Sequence, residues 1–326
     1  MASHEDVATR SLLDLLTPVH SEMGLVEVRI AQAIETGQAP LTKAYRSLFT
    51  GGKRLRPAVA LLAAGPEGAT RREVIALAAA LEMLHTATLI HDDIIDEAPM
   101  RRGQPTVSAV HGEDAAILAG DHLFARPAVV VTETGNLEVI RMIAQTLVTI
   151  SAGEQDQIWR RSRLPSKEEY LRLIHAKTAC LFESAALGGA LLAGRPPDEV
   201  ERFAHYGHHL GLAFQIADDV LDYVGVPSVT GKPTLNDLRQ GVFTLPVLLY
   251  LWQFPEHLGR EIPTSIPDED LHRLVDAVVS KGFVAKALEM AGGFAKRAWE
   301  SIEGLASGAF AESLEGLTRF AVDRVM

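Results

Sequence analysis

Apolar positions recur at helical spacing along most of this chain. The stretch 72–95, REVIALAAALEMLHTATLIHDDII, is rich in Ala and Leu and holds neither Gly nor Pro, which predicts a long, largely buried helix. The stretch 200–224, VERFAHYGHHLGLAFQIADDVLDYV, follows the same pattern, and Gly207 and Gly211 within it allow close approach of a neighbouring helix. Further long helices are predicted over 138–159 and 167–194. Between them fall short stretches carrying Gly, Pro or small polar residues, at 63–70, 97–107, 133–136, 161–166, 193–198 and 226–236. Alternating β-branched patterns are nearly absent. About a dozen helices with short connections predict an all-α fold, a single large helical bundle formed by residues 1–326 as one domain, with a central active-site cavity among facing helices.

Composition narrows the function. Apolar residues make up 47% of the chain and charged residues 22%, as in ordinary globular proteins. Lys and Arg number 31 against 42 Asp and Glu, a net charge of −11. This argues against nucleic acid as a partner, and any anionic ligand needs a local basic cluster. Cys180 is the only cysteine, so no disulfide framework forms within the chain and a cytoplasmic location is expected. The N-terminus lacks the apolar core of a signal peptide. No transmembrane segment is expected; the nearest candidate, 115–131, is interrupted by Asp121, His122 and Arg126.

Two acidic clusters stand out, DDIID at Asp92–Asp96 and DDVLD at Asp218–Asp222. On a helix, residues four apart share a face, so Asp92 pairs with Asp96 and Asp218 with Asp222. Gln215, Asp218, Asp219 and Asp222 form one stripe, and His85, Leu89, Asp92 and Asp96 another. Carboxylates this close on an apolar helix resist ionisation unless a cation joins them. Asp oxygens suit Mg²⁺, which bridges a few carboxylates to ligand phosphates. One such cluster reads equally well as a solvated helix end. A second copy with the same spacing argues for a metal site.

Basic residues are also grouped. In GGKRLRP, Gly51–Pro57, the glycines admit a ligand close to the backbone and Pro57 suits a first helical turn. Lys53 and Arg56 are three apart and so can face one anion at that helix start. Arg101 and Arg102 follow the first acidic cluster, and guanidinium forks match phosphate oxygens. Two anion sites are therefore expected. GKPT at 231–234 is not a Walker loop, because Pro233 stands at the Ser/Thr position and Gly225 is one residue too far upstream. His205, His208 and His209 have partly zinc-like spacing without a Cys or acidic partner, and read as a packed or solvated helix face.

The order and spacing of these blocks resemble the trans-isoprenyl diphosphate synthases of the polyprenyl synthetase family. The resemblance spans nearly the whole chain through GGKRLRP, LHTATLIHDDIID…MRRG, GEQDQ, AKTA, FQIADDVLD and GKPTLNDLRQGVFTLP. It implies an isoprenoid-synthase type of helical bundle. It implies a prenyltransferase that condenses isopentenyl diphosphate head-to-tail with an allylic prenyl diphosphate. Asp92, Asp93 and Asp96 resemble the family's first aspartate-rich motif, and Asp218, Asp219 and Asp222 its second. Together these would hold three Mg²⁺ ions on the allylic diphosphate. Arg101 matches an arginine that grips that diphosphate, and Lys232 a lysine that reaches it. Lys177, Thr178 and Gln215 match polar residues near the allylic end. Lys53, Arg56, His85 and Arg102 match the isopentenyl diphosphate site. A homodimer, and transient membrane contact for product release, are further implications of the resemblance.

Two positions depart from the family pattern. Val242 stands where a lysine is common in the late G-K-x-T-L-P block, and Leu235 where a glycine is common. The first removes a cation expected near the allylic diphosphate. Ala87 and Thr88, one turn before Asp92, are small where short-chain members often carry aromatics, so a long product is expected, with a deeper floor at Leu81, Leu84 or around 146–150. A shorter-chain farnesyl or geranylgeranyl diphosphate synthase is the alternative. A class I terpene cyclase would not need the isopentenyl site, and a non-catalytic subunit of a heteromeric synthase would not need both acidic clusters.

Overall fold

The computed structural model describes residues 11–35, 39–101, 103–159, 163–224, 238, 241–258 and 268–324. Lys232, Leu235 and Arg102 lie outside these residues. The described chain is helical almost throughout. The only strands among the described residues are a two-residue hairpin, β1 (Met100–Arg101) paired antiparallel with β2 (Gln104–Pro105). Contacts gather the chain into two compact units.

The first unit comprises residues 1–145, 181–207 and 302–317. It holds α1 (Leu12–Leu16), α2 (His20–Ala33), α3 (Ala39–Leu48), α4 (Leu55–Ala69), α5 (Arg72–Ile95), α6 (Val107–His111) and α7 (Glu113–Thr132). It also holds the first part of α8 (Leu137–Trp159). Helix α5 occupies the predicted stretch 72–95 and packs against α7, α4 and α2. It is apolar on every side, so it is interior rather than amphipathic; Val74, Leu77, Leu81, Met83 and Leu84 are all fully buried. The predicted break at 63–70 falls inside α4 as a kink at Gly65, whose φ of 75° only glycine adopts readily. By length and composition α5 and α7 are both apolar enough to cross a membrane, a departure from expectation; for α5 burial within its unit accounts for it.

The second unit comprises residues 146–180, 208–301 and 318–326. It takes the rest of α8, then α9 (Lys167–Ile174) and a π-helical turn (His175–Ala179). Its further elements are the C-terminal part of α11 (Pro197–Val224), α12 (Leu245–Gln253), α13 (Asp268–Ser280) and α14 (Phe283–Ile302). Helix α10 (Cys180–Leu192) follows the π turn and α15 (Gly308–Asp323) closes the chain. The core of this unit joins Tyr170, Ile174, Leu212, Ile216, Val220, Leu245, Leu248, Leu271 and Phe283. The helix predicted over 167–194 is thus interrupted by a π turn that contains Lys177 and Thr178, and such turns are frequent at functional sites. The close approach expected of Gly211 is present: a Cβ there would lie 2.4 Å from Ala179 Cα.

Candidate active-site residues

In the first unit the acidic cluster ends α5. Asp92 and Asp93 lie in the last turn and Asp96 is the C-cap, its amide donating to the Asp92 carbonyl at 2.8 Å. The chain then reverses through a Schellman turn, with Ala98 N–H on Asp93 O at 2.9 Å and Glu97 N–H on Ile94 O at 3.1 Å. Glu97 takes the left-handed position, φ 50°, where glycine is the easier residue. This reversal and the hairpin return Arg101 to the helix end, and its Nε donates to Asp93 Oδ1 at 2.6 Å. Asp93 is buried in that pair, whereas Asp92 and Asp96 are half-buried.

His85, Thr88, Leu89, Asp92 and Asp96 are all half-buried. At helical spacing they form one accessible stripe on an otherwise interior helix. Toward the N-terminus the stripe closes at Leu81 and Leu84, both fully buried. Ala87 lies off it, also fully buried, while the Thr88 hydroxyl donates to the His85 carbonyl at 2.7 Å.

The GGKRLRP loop precedes α4, in the same unit. Its centre is Arg54, whose φ of 49° is again left-handed. Arg54 donates to Glu27 at 2.6 Å, to the Gly51 carbonyl at 2.9 Å, to Glu82 at 3.0 Å and to the Phe49 carbonyl. Glu82 is buried on α5, three residues before His85. Lys53 is exposed, and the buried Arg56 guanidinium sits 4.8 Å over the Phe182 ring, a cation–π contact that fixes its plane.

In the second unit the other acidic cluster occupies the last turns of α11. Asp218 is its most accessible member, its side chain 45% exposed. Arg324, just past α15, donates to Asp218 Oδ1 at 2.8 Å. Asp219 is buried and accepts from the Tyr170 hydroxyl at 2.6 Å, Gln215 Nε2 at 3.0 Å and the Leu245 amide at 3.2 Å. The last donor is the first amide of α12, so the carboxylate also meets the positive end of that helix. Gln215 Oε1 accepts from Thr178 Oγ1 at 2.6 Å. The FQIADDVLD and GVFTLP blocks thus meet at one carboxylate, and AKTA reaches it through Gln215. Burial and the neighbouring Asp219 charge push the Tyr170 phenol well above its ordinary pKa, so it remains a donor. Lys177 Nζ lies 3.6 Å from Glu154 and 3.4 Å from Gln157 Oε1. Val242 lines a small, partly open pocket of about 50 Å³ with Asp156, Gln157, Glu169 and Arg163, and the last two are ion-paired. His205 is exposed, and His209 stacks on Phe294.

Both clusters offer oxygen donors suited to a hard divalent ion. Each also sits at the negatively polarised end of a long helix whose last turn holds no basic residue. Arg101 and Arg324 offset one carboxylate in each cluster, and the half-buried and exposed carboxylate oxygens of the clusters fit a divalent metal. Sequence reasoning passed over Arg54, Glu82, Tyr170 and Arg324. Only Glu82 carried a signal, as a lone charge in the interior of an apolar helix.

Comparison with known proteins accords with these features. The family model described as polyprenyl synthetase matches residues 38–271. Component 2 of the heptaprenyl diphosphate synthase of Geobacillus stearothermophilus is 39% identical over 263 residues, 79% of this chain and 81% of the relative. The crystal structure of a Caulobacter crescentus polyprenyl synthase complexed with calcium and isoprenyl diphosphate matches with a TM-score of 0.89 and 34% identity, over 98% of this chain and 100% of that one. That of a decaprenyl diphosphate synthase from Rhodobacter capsulatus gives 0.90 and 33%, over 97% and 100%. The chain belongs to the polyprenyl synthetase family, all-α enzymes that work with divalent metal.

Proposed function

We propose that this protein is a Mg²⁺-dependent prenyltransferase that condenses isopentenyl diphosphate head-to-tail with an allylic prenyl diphosphate, making a long trans-polyprenyl diphosphate. The observation that carries this reading is the pair of aspartate clusters, each ending a long helix at its negatively polarised end. Asp92 and Asp96 from one cluster, with Asp218 and Asp222 from the other, would hold three Mg²⁺ ions. Bound metal supplies neutralisation of the charge that builds on the departing diphosphate. Asp93 and Asp219, buried among protein donors, position their clusters rather than bind directly. Lys53, Arg56 and His85, with Arg102, bind isopentenyl diphosphate and orient its double bond toward the allylic carbon. Arg101 and Lys232 add cations at the allylic diphosphate, and Lys177, Thr178 and Gln215 line the allylic end.

When the allylic C–O bond breaks, its electron pair leaves with the diphosphate. The double bond of isopentenyl diphosphate supplies the pair for the new C–C bond, and a proton is then lost. The residues described offer no obvious base, and the family resemblance assigns acceptance of that proton to the released diphosphate. An apolar surrounding keeps water from quenching the cation.

Residues 1–326 act as one domain in this reading, supported by a family match whose span, 38–271, takes in residues of both units. The chain pairs with a second copy. Ile117, Leu118 and Val129 are exposed on α7, and Leu137 opens α8 in the same condition; a surface of this kind calls for a covering partner. The single cysteine is consistent with a cytoplasmic setting, and the product's apolar tail brings transient membrane contact on release.

The test is a product assay. Purified protein receives Mg²⁺, isopentenyl diphosphate and allylic primers of increasing length, and product mass is read. Long prenyl diphosphates, abolished by chelation, are expected. Hydrocarbon formed without isopentenyl diphosphate would mark a cyclase. Absence of turnover by the chain alone would mark a subunit of a heteromeric synthase.

A further inference from the structure

The C-terminal end of the chain delivers a cation onto the second aspartate cluster. Arg324 is nearly buried, its side chain only 9% exposed. Its Nε donates to the Ala321 carbonyl at 3.1 Å and its Nη2 to the Phe214 carbonyl at 2.5 Å. Its guanidinium carbon lies 3.7 Å over the Phe214 ring. None of these contacts involves Asp218, so the seat of the guanidinium is built independently of the carboxylate it touches. Phe214 and Asp218 are four residues apart on α11 and share a face. The remaining nitrogen, Nη1, meets Asp218 Oδ1 at 2.8 Å. Burial works against the guanidinium charge and Asp218 works for it; arginine stays cationic in such a balance.

A fixed positive charge therefore rests on the most accessible carboxylate of its cluster. We infer that Arg324 is a built-in competitor for the divalent ion at Asp218. In the metal-free protein it balances the carboxylate, and an incoming ion is accepted against its charge. An arriving diphosphate, itself multiply anionic, outweighs that charge, so metal occupancy at this cluster becomes coupled to substrate. The inference rests on the proposed metal role of Asp218.

The test measures Mn²⁺ binding to the full chain by the electron-spin-resonance signal of free Mn²⁺, without prenyl substrates, in the presence and absence of inorganic diphosphate. Wild type, Arg324→Gln and Asp218→Asn are compared. Without diphosphate, Arg324→Gln is expected to bind Mn²⁺ about three- to tenfold more tightly than wild type, from loss of one nearby cation at partly screened range. With diphosphate the difference should shrink. Arg324→Met, which keeps an apolar stem over Phe214, replaces Arg324→Gln if the latter does not fold. Binding by the Arg324 variant equal to or weaker than wild type, while Asp218→Asn loses a site, overturns the competitor role and leaves the metal reading standing. Undiminished binding by Asp218→Asn removes the metal role of Asp218, and the inference with it.

Discussion

Arg54 and Glu82 form a buried ion pair at 3.0 Å that ties the GGKRLRP loop to the helix bearing the first aspartate cluster. Glu82 side-chain exposure is 6% and that of Arg54 is 11%, so neither charge is well solvated. The same guanidinium satisfies two loop carbonyls and Glu27. Arg54 therefore holds the loop whose flanking residues are Lys53 and Arg56. Its left-handed backbone persists because these bonds over-determine it.

Removing Arg54 strands the buried Glu82 charge, at a cost of about 3–5 kcal/mol, whereas removing Glu82 leaves Arg54 paired with Glu27 and two carbonyls. Arg54→Leu should therefore lower the melting temperature strongly and Glu82→Leu less. The double variant should recover much of that loss, because neither charge is then left alone. It should not recover loop geometry: KM for isopentenyl diphosphate should stay raised by about tenfold, the order of one lost charge-assisted contact, with KM for the allylic primer near wild type. Equal rises in both KM values would show general damage instead. The measurement is steady-state kinetics with each substrate varied in turn, alongside thermal denaturation.

Tyr170 is the donor whose loss isolates the role of Asp219. Tyr170→Phe keeps the ring in its core and deletes the phenol's hydrogen bond to the carboxylate. A stability loss of about 1–2 kcal/mol is expected, with a fall in kcat as the cluster loses its fixed orientation. The pH dependence has a definite sign. The folded-state pKa of Tyr170 lies above its unfolded value, so its contribution is complete below about pH 10 and fades as pH rises beyond that. Denaturation at pH 8 and pH 11 should show wild type losing more stability over this interval than Tyr170→Phe. Parallel losses would mean that Tyr170 is not held protonated by its surroundings.

The sequence carries the fold where a single local property decides. An apolar run without Gly or Pro marks α5 to its ends, and paired aspartates at four-residue spacing mark both clusters. It is silent where a residue's role depends on partners far along the chain. Nothing near Tyr170 announces that its hydroxyl meets Asp219, 49 residues on. Nothing near Arg324 announces Asp218. Within each DDxxD cluster the local pattern cannot separate Asp92 from Asp93 or Asp218 from Asp219. The division comes from a hairpin that returns Arg101 and from the amide that opens α12. The π turn is hidden for a similar reason, since one extra residue in a helical turn leaves the apolar periodicity almost unchanged.

Product length gives the last prediction, because burial along α5 divides two neighbouring positions that the sequence treats alike. Thr88 lies on the accessible stripe, while Ala87 is fully buried. Both stand about one turn before Asp92, some ~6–8 Å along the helix axis at 1.5 Å per residue. On the proposed function, a growing prenyl chain anchored at the aspartates would pass Thr88 before reaching the closure at Leu84 and Leu81. Thr88→Phe should therefore shorten the product with little loss of stability. Ala87→Phe puts a large ring into packed interior, costing about 1–3 kcal/mol, and blocks the same passage only by pushing its neighbours aside. It should shorten the product and lower the melting temperature together. Mass spectrometry of products and thermal denaturation of both variants decide the matter. Unchanged product distributions in both would mean that the chain does not grow along this stripe.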